Sequence, residues 1–180
     1  EPLGYAGAIF MMFAHGIISP MLFAVAGAFK HHYHTLEIGS MRGMAKYSPW
    51  LAIYMMFSWM ASLGLPLLAG FVAEITILIA FWKAFGWWVL LPGLTIAVTA
   101  AYYLWSMQRT IFEGGEEGEP PESLHGEDPR DVSMWESVGM MILALLTVLF
   151  GVLPWIFFDM MTGYAHGLFD GILMNVVGGA

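Results

Sequence analysis

The sequence predicts an all-α integral membrane protein with four transmembrane helices, the second of which is broken. Two observations lead to this fold class. First, 59% of the 180 residues are hydrophobic and only 11% are charged, against roughly 25% charged in ordinary soluble domains. Second, long stretches of the chain contain no Lys, Arg or Asp: residues 3–29, 50–82, 84–108 and 137–158.

Each of these stretches is long enough for a transmembrane helix, which needs about 20 apolar residues. Because lipid offers peptide groups no hydrogen-bond partners, only helices and closed barrels cross it. Residues 140–148 (MMILALLTV) are apolar on every side, whereas a barrel strand alternates. The predicted helices therefore cover residues 3–30, 49–82, 85–111 and 135–159.

The second predicted helix is too long for one straight crossing. A helix over residues 50–82 would measure about 50 Å, while the hydrocarbon layer is about 30 Å thick. Its middle contains Gly64, Pro66 and Gly70; proline removes a backbone donor, and glycine adopts non-helical angles at low cost. We therefore predict a hinge at residues 64–70, a feature that marks ion and substrate routes in transporters.

Charge predicts how the chain lies in the membrane. The formal charge of −8 comes mainly from residues 113–134, a stretch rich in Gly, Pro and Glu that is typical of a solvated loop. Lys30, Arg42, Lys46, Arg109 and Arg130 fall in the two longer loops, against Lys83 alone on the other side. The positive-inside rule then predicts cytoplasmic long loops, with both chain ends on the outer side.

Glu74 and His15 are the candidate functional residues. Glu74 is a lone carboxylate one turn beyond Gly70, and His15 is alone among apolar residues near the middle of the first helix. An ionised carboxylate is costly in lipid, so intramembrane acids are functional by default and suit proton transfer. Histidine accepts and donates protons through different nitrogens. The alternative for both residues is a packing role through a hydrogen bond to a neighbouring helix.

Hydroxyl side chains are candidates to line a hydrated path beside these two residues, although hydroxyls also satisfy helix backbones in lipid. They are Ser58, Ser62, Thr76, Thr95, Thr99, Tyr102 and Tyr103. His31, His32 and His34 follow the first helix and suggest a metal site, but no acidic residue or cysteine has ligand spacing. We interpret these histidines as solvated residues at headgroup level, and we predict no metal or cofactor in this chain.

Several motifs together resemble the antiporter-like subunits of respiratory complex I and its relatives, specifically the M-type subunit. They are Ala14-His15-Gly16, His34-Thr35, residues 61–66 (ASLGLP), residues 70–74 (GFVAE) and Tyr102-Tyr103-Leu104. In that family each inverted repeat of five helices contains a broken helix. The resemblance implies that residues 1–180 correspond to the last four helices, eleven to fourteen, and that the chain is a fragment or a split product.

The resemblance also implies roles for residues. His15 would be the relay histidine of helix eleven, and Glu74 the terminal acid of broken helix twelve. The L-type and N-type subunits, and many Mrp-type subunits, carry lysine at this place, so Glu74 favours the M-type. Ser19-Pro20 and His31-His32 are not a recognised family pattern.

The function expected from the resemblance is proton translocation within a redox-driven translocase of the NADH (or F420H2 or ferredoxin):quinone type. The chain lacks cysteine, which excludes an iron–sulfur cluster held by its own thiolates. The resemblance implies that NADH or flavin, iron–sulfur clusters and quinone are bound by other subunits. The expected partners are other membrane subunits of the same complex, including the rest of the antiporter-like bundle, and the lipid of a prokaryotic inner membrane, and not nucleic acid. The alternatives are an Mrp-type sodium/proton antiporter subunit and a structural membrane scaffold.

Overall fold

The computed structural model describes residues 2–40, 42–113, 131–159 and 167. Most of the predicted acidic loop lies outside these described residues. Short helical turns occupy Ile38–Ser40, Gly86–Val89 and Gln108–Phe112. The α-helices are α1 (Pro2–Tyr33), α2 (Met44–Tyr47), α3 (Pro49–Ser62), α4 (Ala69–Phe85), α5 (Leu90–Met107) and α6 (Met134–Val152).

Within the described residues, three helical stretches are long and apolar enough to cross a membrane: Pro2–Tyr33, Ala69–Phe112 and Met134–Val152. The all-helical membrane class is therefore confirmed. The second stretch joins α4 to α5 through Gly86, whose φ of 60° turns the chain there. With its 14 residues, α3 is too short to cross alone, so the predicted count of four crossings depends on pairing it with α4.

The helix break lies at residues 63–68, between the end of α3 and the start of α4. Gly64 and Leu67 have φ values of 78° and 77°, whereas residues of a right-handed α-helix have negative φ. Pro66 lies between these two residues. Gly70 differs from its predicted role, because it belongs to α4. A Cβ atom there would lie 2.8 Å from the Ala61 carbonyl oxygen, so glycine is needed for close packing of α4 on α3.

Helix α1 is the central element, and it packs against α3, α4 and α6. Small residues allow it to approach α4 closely, as is common between membrane helices. A Cβ atom on Gly7 would lie 3.0 Å from Cγ2 of Thr76, and one on Gly4 would lie 3.3 Å from Cβ of Ala80. The α1–α4 contact thus fixes the helix that carries Glu74.

Polar contacts tie three helix ends together at one end of the bundle. The backbone N–H groups of Trp50 and Leu51 donate to the Asp131 carboxylate at 2.8 and 3.0 Å, which caps the start of α3. The buried Tyr33 and Ser48 hydroxyls lie 2.7 Å apart, linking the end of α1 to the same region. Ser133 caps α6 and forms a reciprocal capping box with Glu136.

Helix α6 supports the break through Gly151. A Cβ atom on Gly151 would overlap the Leu67 carbonyl oxygen and would lie 2.6 Å from the carbonyl carbons of Leu67 and Leu68. The neighbour is backbone, which cannot rotate away as a flexible side chain would. Only glycine at this position lets α6 cover the non-helical segment.

Replacing Gly151 with alanine is expected to destabilise the full subunit by about 1–3 kcal/mol, because overpacking forces the backbone at residues 67–68 to shift. Gly139→Ala is the matched control, since Gly139 is on the same helix and has nothing within 4 Å of its Cβ position. It should be neutral or should stabilise by roughly 0.5–1 kcal/mol. Thermal unfolding of the detergent-solubilised assembly measures both, and equal melting temperatures would contradict the packing argument.

Candidate functional site

Glu74 lies on α4, half-buried, with its carboxyl group directly against the helix break. A Cβ atom built on Gly64 would overlap Oε2 of Glu74 and would lie 2.9 Å from its Cδ. The break therefore passes closely over the carboxyl group. A glycine is required at position 64 for two reasons, the positive φ and this close approach.

The Glu74 side chain opens onto a cavity of about 360 Å³. The cavity lies between the break, α1, α4 and α5, and it is lined by Met11, Leu63, Glu74, Ile77, Leu78, Pro92, Thr95, Ile96 and Thr99. Its volume is many times the roughly 30 Å³ that one water molecule occupies in the liquid. Within the described residues no side chain or backbone group hydrogen-bonds the Glu74 carboxyl, so water is the partner that this space can supply.

Thr95 and Thr99 supply the hydroxyl groups on the α5 side of the cavity. Each donates to a carbonyl of its own helix, Leu91 at 3.2 Å and Thr95 at 3.0 Å. Their oxygen lone pairs remain able to accept hydrogen bonds from water. These two threonines therefore make one wall of an otherwise apolar cavity partly polar.

The other hydroxyl candidates have different neighbours. Ser62, the last residue of α3, lies 2.8 Å from the Tyr103 hydroxyl and so links the break to α5. The rings of Tyr102 and Tyr103 are tilted by 38° to each other, with centroids 4.8 Å apart. Thr76 donates to the Val72 carbonyl at 2.7 Å. None of Ser62, Thr76 and Tyr102 lines the Glu74 cavity.

His15 lies in a second space, an open groove of about 600 Å³ on the surface of α1. The groove is lined by Met11, Met12, His15, Gly16, Ser19, Pro20 and Phe23. Pro20 has no N–H, so the Gly16 carbonyl beside His15 lacks its usual helical donor. The structure does not bring His15 and Glu74 into one cavity, but Met11 borders both spaces.

The histidine string meets a carboxylate that the sequence did not suggest. Nδ1 of His31 lies 3.3 Å from Oε1 of Glu136, and Nε2 of His32 lies 3.2 Å from Oε2. Glu136 is more than 100 residues away along the chain, so ligand spacing could not reveal it. These three residues, unlike the Glu74 site, form a group whose ligand atoms could hold a metal ion.

The chain belongs to the NADH:quinone oxidoreductase/Mrp antiporter transmembrane family, whose pattern matches residues 2–99. This stretch contains α1, the break and Glu74. Over 166 residues, the chain is 40% identical to F(420)H(2) dehydrogenase subunit M of Methanosarcina mazei, covering 92% of this chain and 32% of that protein. It thus spans about a third of the length of this curated relative.

Two solved structures have a similar fold. Respiratory complex I from Thermus thermophilus with bound NADH contains a chain that superposes with a TM-score of 0.81 at 31% identity, covering 92% of this chain and 33% of that one. The Mrp complex from Dietzia sp. DQ12-45-1b gives a TM-score of 0.77 at 20% identity over 95% of this chain and 39% of the other. The second likeness is one of fold alone. The fold is thus antiporter-like, and the resemblance to M-type subunits is confirmed.

The contact between Gly64 and Glu74 predicts that Gly64→Ala displaces the carboxyl group. Alanine at this positive φ costs roughly 1–2 kcal/mol, and its methyl group would occupy the space of Oε2. Gly86→Ala is the matched control, because Gly86 also has a positive φ but nothing within 4 Å. Both variants should lower the melting temperature, but Gly64→Ala alone should change the rate at which a hydrophobic carbodiimide labels Glu74, measured by mass spectrometry. Equal labelling rates in both variants would argue against the contact.

Proposed function

We propose that this chain is part of a proton-translocating, M-type membrane subunit of a complex I-like NADH (or F420H2):quinone oxidoreductase, with Glu74 as a proton-carrying group. One observation carries the proposal: a carboxyl group at a helix break, without a protein hydrogen-bond partner among the described residues, faces a cavity large enough for water. In a membrane-embedded chain, a carboxyl group in such a place binds and releases protons through that water.

His15 is the second group on the proposed path. The groove at His15 and the cavity at Glu74 share Met11 as a common wall. Water that enters past the Met11 side chain would join the two spaces and carry protons between them. The Gly16 carbonyl, which lacks its usual donor because Pro20 has no N–H, offers an acceptor to a water molecule beside His15.

We propose four crossings, in which α3, the break and α4 together make one, with the long loops on the cytoplasmic side and both ends outside. The chain would form the last four helices of an inverted-repeat bundle. Electron transfer, with flavin, iron–sulfur clusters and quinone, would occur in other subunits, so the chain takes part in the enzyme only by moving protons.

An Mrp-type sodium/proton antiporter subunit is the second candidate, favoured by the shared fold. Glu74 argues against it, because the resemblance assigns lysine at this place to many Mrp-type subunits. A third candidate is a scaffold whose helices only hold neighbouring subunits. The scaffold hypothesis requires that His15 and Glu74 both accept apolar replacement without loss of coupling.

Replacing Glu74 with Gln should preserve assembly and electron transfer while lowering proton translocation, because glutamine keeps the shape of the side chain but does not titrate. Glu37→Gln is the control, since Glu37 is an exposed carboxylate outside the helices. Proton uptake into inverted membrane vesicles, normalised to the electron-transfer rate, measures the effect. Unchanged pumping in Glu74→Gln would refute the proposed role of Glu74. An equal loss of pumping in both variants would refute it as well, because the effect would not be specific to Glu74.

The sodium/proton alternative predicts a different ion dependence. If the subunit translocates protons alone, proton movement in vesicles that contain the full assembly should be the same in sodium-free and sodium-containing buffer at equal ionic strength. Potassium at the same concentration controls for screening. Proton movement that requires sodium would favour the antiporter.

A further inference from the structure

We propose that His31, His32 and Glu136 form a binding site for a divalent transition-metal ion, of which Zn²⁺ is the representative. The site joins the C-terminal end of α1 to the N-terminal end of α6. It shares no residue with the Glu74 and His15 spaces, so it does not depend on the proposed proton path. Two imidazoles and one carboxylate make up a donor set that zinc accepts in proteins, with further coordination positions left for water.

The distances fit a small ion. Zinc binds histidine nitrogen and carboxylate oxygen at about 2.0–2.2 Å, so adjacent ligand atoms in a tetrahedral site lie roughly 3.3 Å apart. Nδ1 of His31 lies 3.3 Å from Oε1 of Glu136, and Nε2 of His32 lies 3.2 Å from Oε2. One ligand atom from each of the three residues can be chosen so that all three lie within 4.8 Å of one another. The His31 ring, which is 72% exposed, has room to rotate toward an ion.

The backbone brings together side chains that would not otherwise converge. Consecutive residues on a helix point about 100° apart, so His31 and His32 meet a common point only because they use different ring nitrogens. His31 offers Nδ1 and His32 offers Nε2, and Glu136 presents a separate oxygen to each. An ion that replaced these two hydrogen bonds would be bound by one nitrogen from each histidine and by the Glu136 carboxylate.

Glu136 is held in place from behind, as metal-binding carboxylates usually are. The backbone N–H of Ser133 donates to Oε2 of Glu136 at 2.8 Å, as part of the capping box at the start of α6. His32 is 11% exposed and Glu136 30%, while His31 is 72% exposed. The site is therefore fixed on one side and open on the other, where an ion and its water ligands can enter.

The two imidazole rings lie side by side on the same carboxylate. The centroids of the His31 and His32 rings are 4.8 Å apart, and each ring has one nitrogen near an oxygen of Glu136. Zinc binds histidine nitrogens and carboxylate oxygens together, so one divalent ion can be bound by all three residues at once.

The test uses the intact complex after treatment with a chelator, with radioactive ⁶⁵Zn²⁺ as the probe in equilibrium binding. His32→Gln and Glu136→Gln should each lower the zinc affinity of this site by tenfold or more. At a zinc concentration that just saturates the wild type, each variant should therefore bind about one ion fewer per subunit. Glu136→Gln keeps the capping box, because glutamine also forms it. His34→Ala is the control, since His34 belongs to the same string but is outside the three-residue group.

A stability measurement keeps the test valid if a variant folds poorly. Zinc should raise the unfolding temperature of the wild type and of His34→Ala, because an ion that binds only the folded state stabilises it. It should have no such effect on His32→Gln or Glu136→Gln, each compared with its own unfolding temperature in chelator. Equal zinc binding in wild type and both variants, or an equal loss in His34→Ala, would overturn the proposal.

Discussion

The non-helical segment at residues 63–68 must be enclosed by protein or reached by water, since lipid satisfies neither peptide donors nor peptide acceptors. Three glycines meet this need at the break. Gly64 lets the chain pass over the Glu74 carboxyl, Gly70 brings α4 against the Ala61 carbonyl, and Gly151 lets α6 cover Leu67. The position of Glu74, the cavity beside it and the course of α4 all depend on this close backbone packing.

The sequence predicted the break and singled out the carboxylate that lies against it. The length of the apolar stretch and the Gly-Leu-Pro sequence at residues 64–66 required an interruption, and a single carboxylate in that stretch was conspicuous. These signals are local, because they follow from hydrocarbon thickness and backbone chemistry. Gly70 was the exception, since spacing cannot distinguish a glycine needed for flexibility from one needed for close packing.

The contacts between distant segments could not be predicted in the same way. Nothing local to Gly151 indicates that its neighbour is the backbone of Leu67, and Thr95 and Thr99 were two among seven hydroxyl candidates. Glu136 meets His31 and His32 across more than 100 residues. Each of these pairings is set by how whole helices pack, and a single sequence taken by itself contains no record of that packing.

Met11 lines both the His15 groove and the Glu74 cavity, and its side chain is partly buried against the core cluster around Phe10 and Met21. Methionine has three rotatable bonds and adapts to irregular spaces. The shape of the boundary between the two spaces at this position therefore depends on one flexible side chain rather than on the backbone of a helix. Isoleucine at the same position would have a stiffer side chain, because it is branched at Cβ.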